Sequence, residues 1–228
     1  MNPDRYEWDR ISCSIAAKEI YIRDIYKSWY VTGINSCIDT IDKLADFLKD
    51  EVKDMPVICI GSSSGGYLAA LLGVLLNADH VVAFSAQFEL RNKGALDAKP
   101  FLRRYQNVPE RAKYYDIKPF LERSDVPIYY LVPIKNEQDH YHYEYIKNVS
   151  CIRPIVFKSK HHGVIVPKGN LSGLLSMTAS EWDLYYQRYR HKQVSPVIFS
   201  MRYEGAVKTG KDLWRTASKT VLKKIGKS

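Results

Sequence analysis

Apolar and polar positions along the chain fall into blocks with two different periods. Residues 19–23, EIYIR, alternate and end at Asp24, which predicts a first strand. From Ile34 the apolar residues Ile34, Ile38, Ile41, Leu44, Ala45 and Leu48 recur three and four apart, which predicts a helix with one face on a sheet. Val57 to Ile60 is a short, wholly apolar run, and Tyr67 to Leu76 is a longer one rich in Ala and Leu, so the pair reads as a buried strand and a buried helix. Three more β-rich runs follow: HVVAFSA at 80–86, PIYYLVPI at 127–134 and IRPIVF at 152–157. Residues 171–192 predict a closing helix that offers Leu171, Leu174, Leu175, Met177, Trp182, Leu184 and Tyr185 to the core. Strands joined through helices imply a parallel sheet with crossover connections, and hence an α/β protein.

The rhythm breaks between residues 87 and 125, a polar stretch that carries Arg103, Arg104, Tyr105, Arg111, Lys113, Tyr114 and Tyr115. It reads as a partly helical insertion over the C-terminal edge of the sheet. Either it is a lid whose Arg103, Arg104 and Tyr105 bind an anionic or sugar substrate, or it is an ordinary charged surface. Residues 1–17 show no clear strand, although Tyr6 and Trp8 are suited to anchoring. Residues 1–195 are expected to form one domain and 196–228 a basic tail.

Between the buried strand and the buried helix stands Gly61-Ser62-Ser63-Ser64-Gly65-Gly66. Gly61-x-Ser63-x-Gly65 is the G-x-S-x-G pattern, in which a serine sits on a strained strand-to-helix bend with its hydroxyl exposed. Gly61 and Gly65 leave room where the strand and helix backbones nearly touch, and Gly66 lets the helix start close against the sheet. A serine at a helix N-terminus meets free N–H groups and the positive end of the helix dipole, which favour an oxyanion. A flexible Gly/Ser turn is the plainer reading; the apolar strand before the turn and the apolar helix after it favour the elbow.

A serine hydroxyl is a weak nucleophile, so it needs a base in hydrogen-bond reach and a group that orients the base. Asp139 follows the 127–134 run and His162, next to Gly163, follows the 152–157 run. Ser63, Asp139 and His162 thus occur in the chain order Ser, Asp, His. Glu137 is the rival acid and His161 the rival base. One oxyanion donor is expected from the backbone N–H of Ser64; the second comes from the Tyr6–Trp8 region or from Ile25–Lys27. The run Asp139-His140-Tyr141-His142-Tyr143-Glu144 with His161-His162 matches no recognisable metal spacing, so no metal is assigned. Neither a Walker-type Gly-Lys-Ser/Thr nor a strand-linked GxGxxG is present, so no nucleotide cofactor is expected.

At the Gly61–Tyr67 elbow the chain resembles the α/β-hydrolase superfamily, over about residues 18–170. The Gly-Ser-Ser-Ser-Gly-Gly-Tyr run, the Arg23-Asp24 to Trp29-Tyr30 segment and the late His-His-Gly are similar to small hydrolase-like proteins associated with bacterial surface-polysaccharide biosynthesis. The resemblance implies a three-layer fold, a mostly parallel sheet with helices on both faces, whose early antiparallel strands are here shortened or missing. It implies a serine esterase or deacetylase acting through an acyl-enzyme on a small-molecule or glycan ester. The alternatives are an O-acyltransferase modifying a polysaccharide and a catalytically silent scaffold. No HGGG-type oxyanion loop is present.

Composition narrows the setting. A chain of 228 residues with 46% hydrophobic content suits one sizeable core. No apolar run is long enough to span a bilayer and the MNPDRYEWDR start has no signal-peptide core, so a cytoplasmic protein is expected. Cys13, Cys37, Cys59 and Cys151 are scattered and read as reduced thiols, with Cys59 in the core. The net charge of +9 is concentrated late: residues 202–228 hold eight Lys and Arg against Glu204 and Asp212. Over 211–225, Leu213, Trp214, Ala217, Val221, Leu222 and Ile225 share a helix face. That amphipathic helix either rests on an anionic membrane surface or docks on its own domain. Nucleic acid is not an expected partner, because the basic excess lies outside the catalytic domain.

Overall fold

Successive side chains on the central strands enter two different cores. The computed structural model describes residues 8, 11, 13–91, 100–105, 107–205 and 211. Five parallel strands lie in the order β1 (Ile58–Ser62), β2 (His80–Phe84), β3 (Ile128–Pro133), β4 (Ile152–Phe157) and β5 (Gln193–Val194). Val81, Ala83, Tyr130 and Val132 face one core, while Val82, Phe84, Tyr129 and Leu131 face the other. This is why β2 and β3 read as unbroken apolar runs: both faces are covered.

The first face is covered by α1 (Ile41–Val52) and α2 (Ser64–Leu75). Helix α1 starts at Ile41 and not at Ile34. The Thr40 side chain caps it by accepting from the Lys43 N–H, and Asn35 holds the preceding loop by accepting from the Cys37 and Ile38 N–H groups. Ile41, Leu44, Ala45 and Leu48 are its buried stripe. The second face is covered by α6 (Lys168–Leu175), α7 (Ala179–Tyr189) and α8 (Pro196–Glu204). The single closing helix expected over 171–192 is therefore two. The break falls before Thr178, which forms a capping box with Glu181. Leu184, expected in the core, is 71% exposed. Phe199 of α8 is fully buried against Phe157, so the core continues past the boundary expected at residue 195.

The insertion expected over the sheet edge is built into the first core instead. It is partly helical, with a 3₁₀ segment (Pro100–Tyr105), α3 (Pro109–Ala112) and α4 (Lys118–Leu121). Leu102, Tyr114, Tyr115, Ile117 and Leu121 are buried. The tyrosines tolerate this because each hydroxyl finds an acceptor: Tyr115 donates to the Leu102 carbonyl and Tyr114 to the Asp42 carboxylate.

The strand expected at 19–23 is not formed. Residues 19–23 belong to no ladder of the described sheet, and they line a cavity together with residues of β1. The amphipathic tail helix expected over 211–225 lies outside the described residues, apart from Lys211. Among the described residues no helix is long and apolar enough to cross a membrane.

Candidate functional site

The elbow forms because two glycines, Gly61 and Gly66, remove side chains from a crowded bend. Strand β1 ends at Ser62, α2 begins at Ser64, and Ser63 between them sits at φ 55° and ψ −120°, a left-handed conformation a non-glycine residue rarely adopts. A Cβ on Gly61 would overlap the Gly65 carbonyl oxygen, and one on Gly66 would come within 2.9 Å of the Ala86 Cβ. Gly65 differs from the expectation. A Cβ there would meet no atom within 4 Å, so its own side-chain space is open. The Ser63 N–H donates to the Phe84 carbonyl at 2.9 Å, which ties the bend to β2.

The segments that follow β3 and β4 bring the other two residues to Ser63. The Ser63 Oγ lies 2.9 Å from His162 Nε2, and His162 Nδ1 lies 3.1 and 3.0 Å from the two Asp139 oxygens. Asp139 is not in a loop, as expected, but in the first turn of α5 (Glu137–Ile146). Asn136 caps that helix by accepting from the Gln138 and Asp139 N–H groups. Asp139 is only 1% exposed, whereas Glu137 and His161 point to solvent. The buried carboxylate at Nδ1 fixes the imidazole tautomer so that Nε2 faces the serine as acceptor.

A residue that sequence reasoning missed holds His162 in place. Ser85, fully buried just after β2, accepts from the Gly163 N–H at 2.9 Å and donates to the Gly163 carbonyl at 3.0 Å. Gly163 has φ +99°, which suits glycine alone. Nothing in the sequence signalled it, because a serine at the end of a strand is ordinary. His142, one turn after Asp139 on α5, was also missed as a neighbour of the site. It is fully buried, its Nδ1 accepts weakly from the Phe88 N–H at 3.4 Å, and its Nε2 has no partner. Burial, with the nearby His162 adding to it, pushes its pKa down to about 4, so it is neutral at pH 7.

Among the backbone hydrogen bonds of the described residues, none uses the Ser64 N–H, which leaves it free at the start of α2. Of the two stretches expected to give a second donor, Ile25–Lys27 has its Ile25 and Lys27 N–H groups bonded to the Arg23 and Asp24 carbonyls. In the other, Tyr6 lies outside the described residues and Trp8 packs its ring 5.8 Å from that of Phe84. Asp24 organises the Lys27–Tyr30 turn by accepting from Ser28 and Tyr30. Its burial raises its pKa, opposed by those hydrogen bonds.

Arg104 and Tyr105 line a separate polar pocket of about 440 Å³ together with Tyr26, Asn35, Asp39 and Arg111; Arg103 is not part of it. The Arg104 and Arg111 guanidiniums each lie 5.1 Å from the Tyr105 ring centre, within cation–π range. None of Ser63, Asp139 and His162 borders that pocket. The stretch Asp139–Glu144, with its alternating His and Tyr, is helical: Asp139 and His142 turn inward, while His140 faces Glu144 at 3.7 Å. Among the described residues, no three His, Cys, Asp or Glu side chains gather as a metal ion would require. The four cysteines are unpaired, and Cys59 on β1 is half-buried at the sheet edge.

The fold and the site together define an α/β protein with a hydroxyl, an imidazole and a buried carboxylate in line at the C-terminal ends of parallel strands. No family model matches the chain, and no curated protein matches it either.

Proposed function

We propose that the protein is a serine-dependent acyl-ester hydrolase of the α/β-hydrolase type. One observation carries the reading: Ser63 Oγ at 2.9 Å from an imidazole whose other nitrogen is held by a buried carboxylate. As Ser63 Oγ adds to an ester carbonyl carbon, His162 Nε2 takes the hydroxyl proton, and the carbonyl oxygen becomes an oxyanion facing the Ser64 N–H. Collapse reforms the carbonyl and expels the alcohol, which takes the proton from His162. Water then adds to the acyl-enzyme, losing a proton to His162; collapse releases the acid as His162 returns that proton to Ser63 Oγ. Asp139, held against His162 Nδ1, steadies the imidazolium in both halves. These steps require no cofactor.

Transfer to a sugar hydroxyl in place of water is a second reading of the same acyl-enzyme. The pocket of Tyr26, Asn35, Arg104 and Tyr105 offers hydroxyl, amide and guanidinium groups of the kind a glycan takes, but it stands apart from Ser63 and does not choose between the two acceptors. We place the protein in the cytoplasm, with the basic tail as its contact with anionic membrane.

The test is labelling by a fluorophosphonate probe, read by intact mass on wild type and Ser63→Ala. Stoichiometric labelling of wild type alone is expected, followed by turnover of nitrophenyl esters with and without glycan acceptors. A folded wild type that does not label sinks the catalytic reading and leaves a binding or scaffold protein.

A further inference from the structure

The two segments that deliver Asp139 and His162 also gather positive charge. After β4 the chain runs Lys158-Ser159-Lys160-His161-His162, and after β3 it runs Ile134-Lys135-Asn136. Backbone bonds lay one segment against the other: the Lys135 N–H donates to the Ser159 carbonyl at 3.0 Å and the Ile134 N–H to the Phe157 carbonyl at 3.1 Å. The Asn136 side-chain amide donates to the Lys160 carbonyl at 3.5 Å, and the same residue caps the helix that carries Asp139. The backbones of Lys135, Lys158 and Lys160 are thereby held together, and all three residues are exposed. Elsewhere several exposed lysines sit against carboxylates, as Lys43 does with Asp39, Lys113 with Asp42 and Lys147 with Glu144. No carboxylate of the described residues pairs with Lys135, Lys158 or Lys160, and the exposed carboxylate nearest them in sequence is the single Glu137.

We infer that these three lysines bind a negative group on the alcohol half of the ester, so that the substrate class is an acyl ester whose alcohol carries a carboxylate or a phosphate. The inference rests on the serine-hydrolase reading for which half of the ester they meet. His162 hands its proton to the departing oxygen, so the alcohol lies on the His162 side of Ser63, while the carbonyl oxygen lies toward the Ser64 N–H. Lys160 is two residues from His162, so their backbones are at most about 7 Å apart. That is within the distance over which a charge acts at physiological salt. Three like charges tied side by side repel one another, and a bound anion relieves that repulsion. An ammonium on a flexible four-carbon stem acts as a point charge, which suits carboxylate and phosphate alike.

The test compares one acyl group on matched alcohols: the 3-O-acetyl esters of glucose, glucuronate and glucose 6-phosphate, assayed by acetate release with the full chain. At 0.01 M salt kcat/KM is expected to be about tenfold higher on the two anionic esters than on the neutral one, at up to about fivefold per lysine. The preference should fall at least threefold at 1 M salt, where screening sets in within about 3 Å. The triple variant Lys135→Gln, Lys158→Gln, Lys160→Gln should bring the ratio close to one. Lys160→Glu should lower it at least threefold and covers the case in which the triple variant fails to fold. Lys49→Gln, at the end of α1 that leads into β1 and so at the opposite edge of the sheet, should leave the ratio as it is. The better of the two anionic esters distinguishes carboxylate from phosphate. Equal kcat/KM on all three esters, or a preference that both lysine variants keep, overturns the inference and leaves the hydrolase reading standing. Binding is read separately, by NMR titration of folded Ser63→Ala with glucuronate and glucose 6-phosphate at 0.01 M salt, and it alone decides where no ester turns over. Binding that Lys160→Glu weakens, with no fluorophosphonate labelling of wild type, keeps the anion site and removes the catalytic reading. Absence of binding, with or without labelling, removes the anion site.

Discussion

Strands β3 and β1 both carry a residue of the site, yet they stand in opposite surroundings. Strand β3 is flanked by β2 and β4 and is buried from Ile128 to Pro133, and the Asp139 it delivers is 1% exposed. Among the described residues strand β1 has a neighbouring strand on one side only, and its Ile58, Cys59 and Ile60 are half-buried beside the cavity. His162 and Asp139 are held at the filled interior of the sheet. On the serine-hydrolase proposal Ser63 needs the same fixed geometry, although it comes from the edge. Its rigidity comes instead from the glycine-cleared bend and the bond from Ser63 to Phe84.

The largest effects should come from breaking the rigid side. Asp139→Asn keeps the shape but destroys the tautomer control of His162, so kcat for ester hydrolysis should fall about 10⁴-fold. Thermal unfolding should shift by only a few degrees. A loss of less than tenfold would mean that the buried carboxylate does not orient the base. Gly61→Ala tests the rigidity that the edge strand retains. Its Cβ overlaps backbone, which cannot swing aside, so destabilisation by about 4 kcal/mol is expected in urea unfolding.

His142 gives a pH readout of the same interior. Its folded pKa of about 4 lies below the ordinary value of 6.5, so the unfolded chain binds a proton that the folded chain refuses. Its contribution is therefore fully present above pH 6.5 and is lost as pH falls from 6.5 toward 4, to a total of about 3 kcal/mol. Urea unfolding at pH 7 and pH 4 should show that loss, and His142→Gln, which keeps an acceptor for the Phe88 N–H, should shrink it by most of that amount. Ser85→Ala is milder. It frees both Gly163 groups, for about 1–3 kcal/mol of stability. It should lower kcat about tenfold with KM nearly unchanged, the split expected if Ser85 positions His162 and does not touch substrate.

Much of the rigid side was legible in the sequence, and the reason is local. Short apolar runs such as the one over β3 suit strands covered on both faces, and G-x-S-x-G places its glycines and serine within five residues. Chain order then pointed to Asp139 and His162 without any distance information. The Ser85–Gly163 clamp was not legible because its partners lie 78 positions apart and neither residue type is unusual where it stands. The burial of Tyr114 and Tyr115, in a stretch that reads as lid or charged surface, is not legible because a tyrosine hydroxyl suits water as well as a buried carbonyl, and sequence does not say which it meets. Residues 19–23 failed differently. Their alternation sets which side chains point which way, but a strand also needs a partner edge at ladder distance, and period two carries no information about that.

That failure supplies the smallest expected effect. Ile20 is 38% exposed and sits in a segment with no ladder bonds to β1, so Ile20→Thr removes little burial and disturbs no pairing. Its cost in urea unfolding should stay within about 0.5 kcal/mol, the range for surface positions. Amide exchange at Ile20–Ile22 should accordingly be fast, while Val81–Phe84, bonded to strands on both sides, should exchange only on global unfolding. A cost of about 2 kcal/mol, with slow exchange at Ile20–Ile22, would show that this segment pairs with β1 in solution. It would then close the cavity along its length, and the contrast between a filled interior and an open edge would disappear.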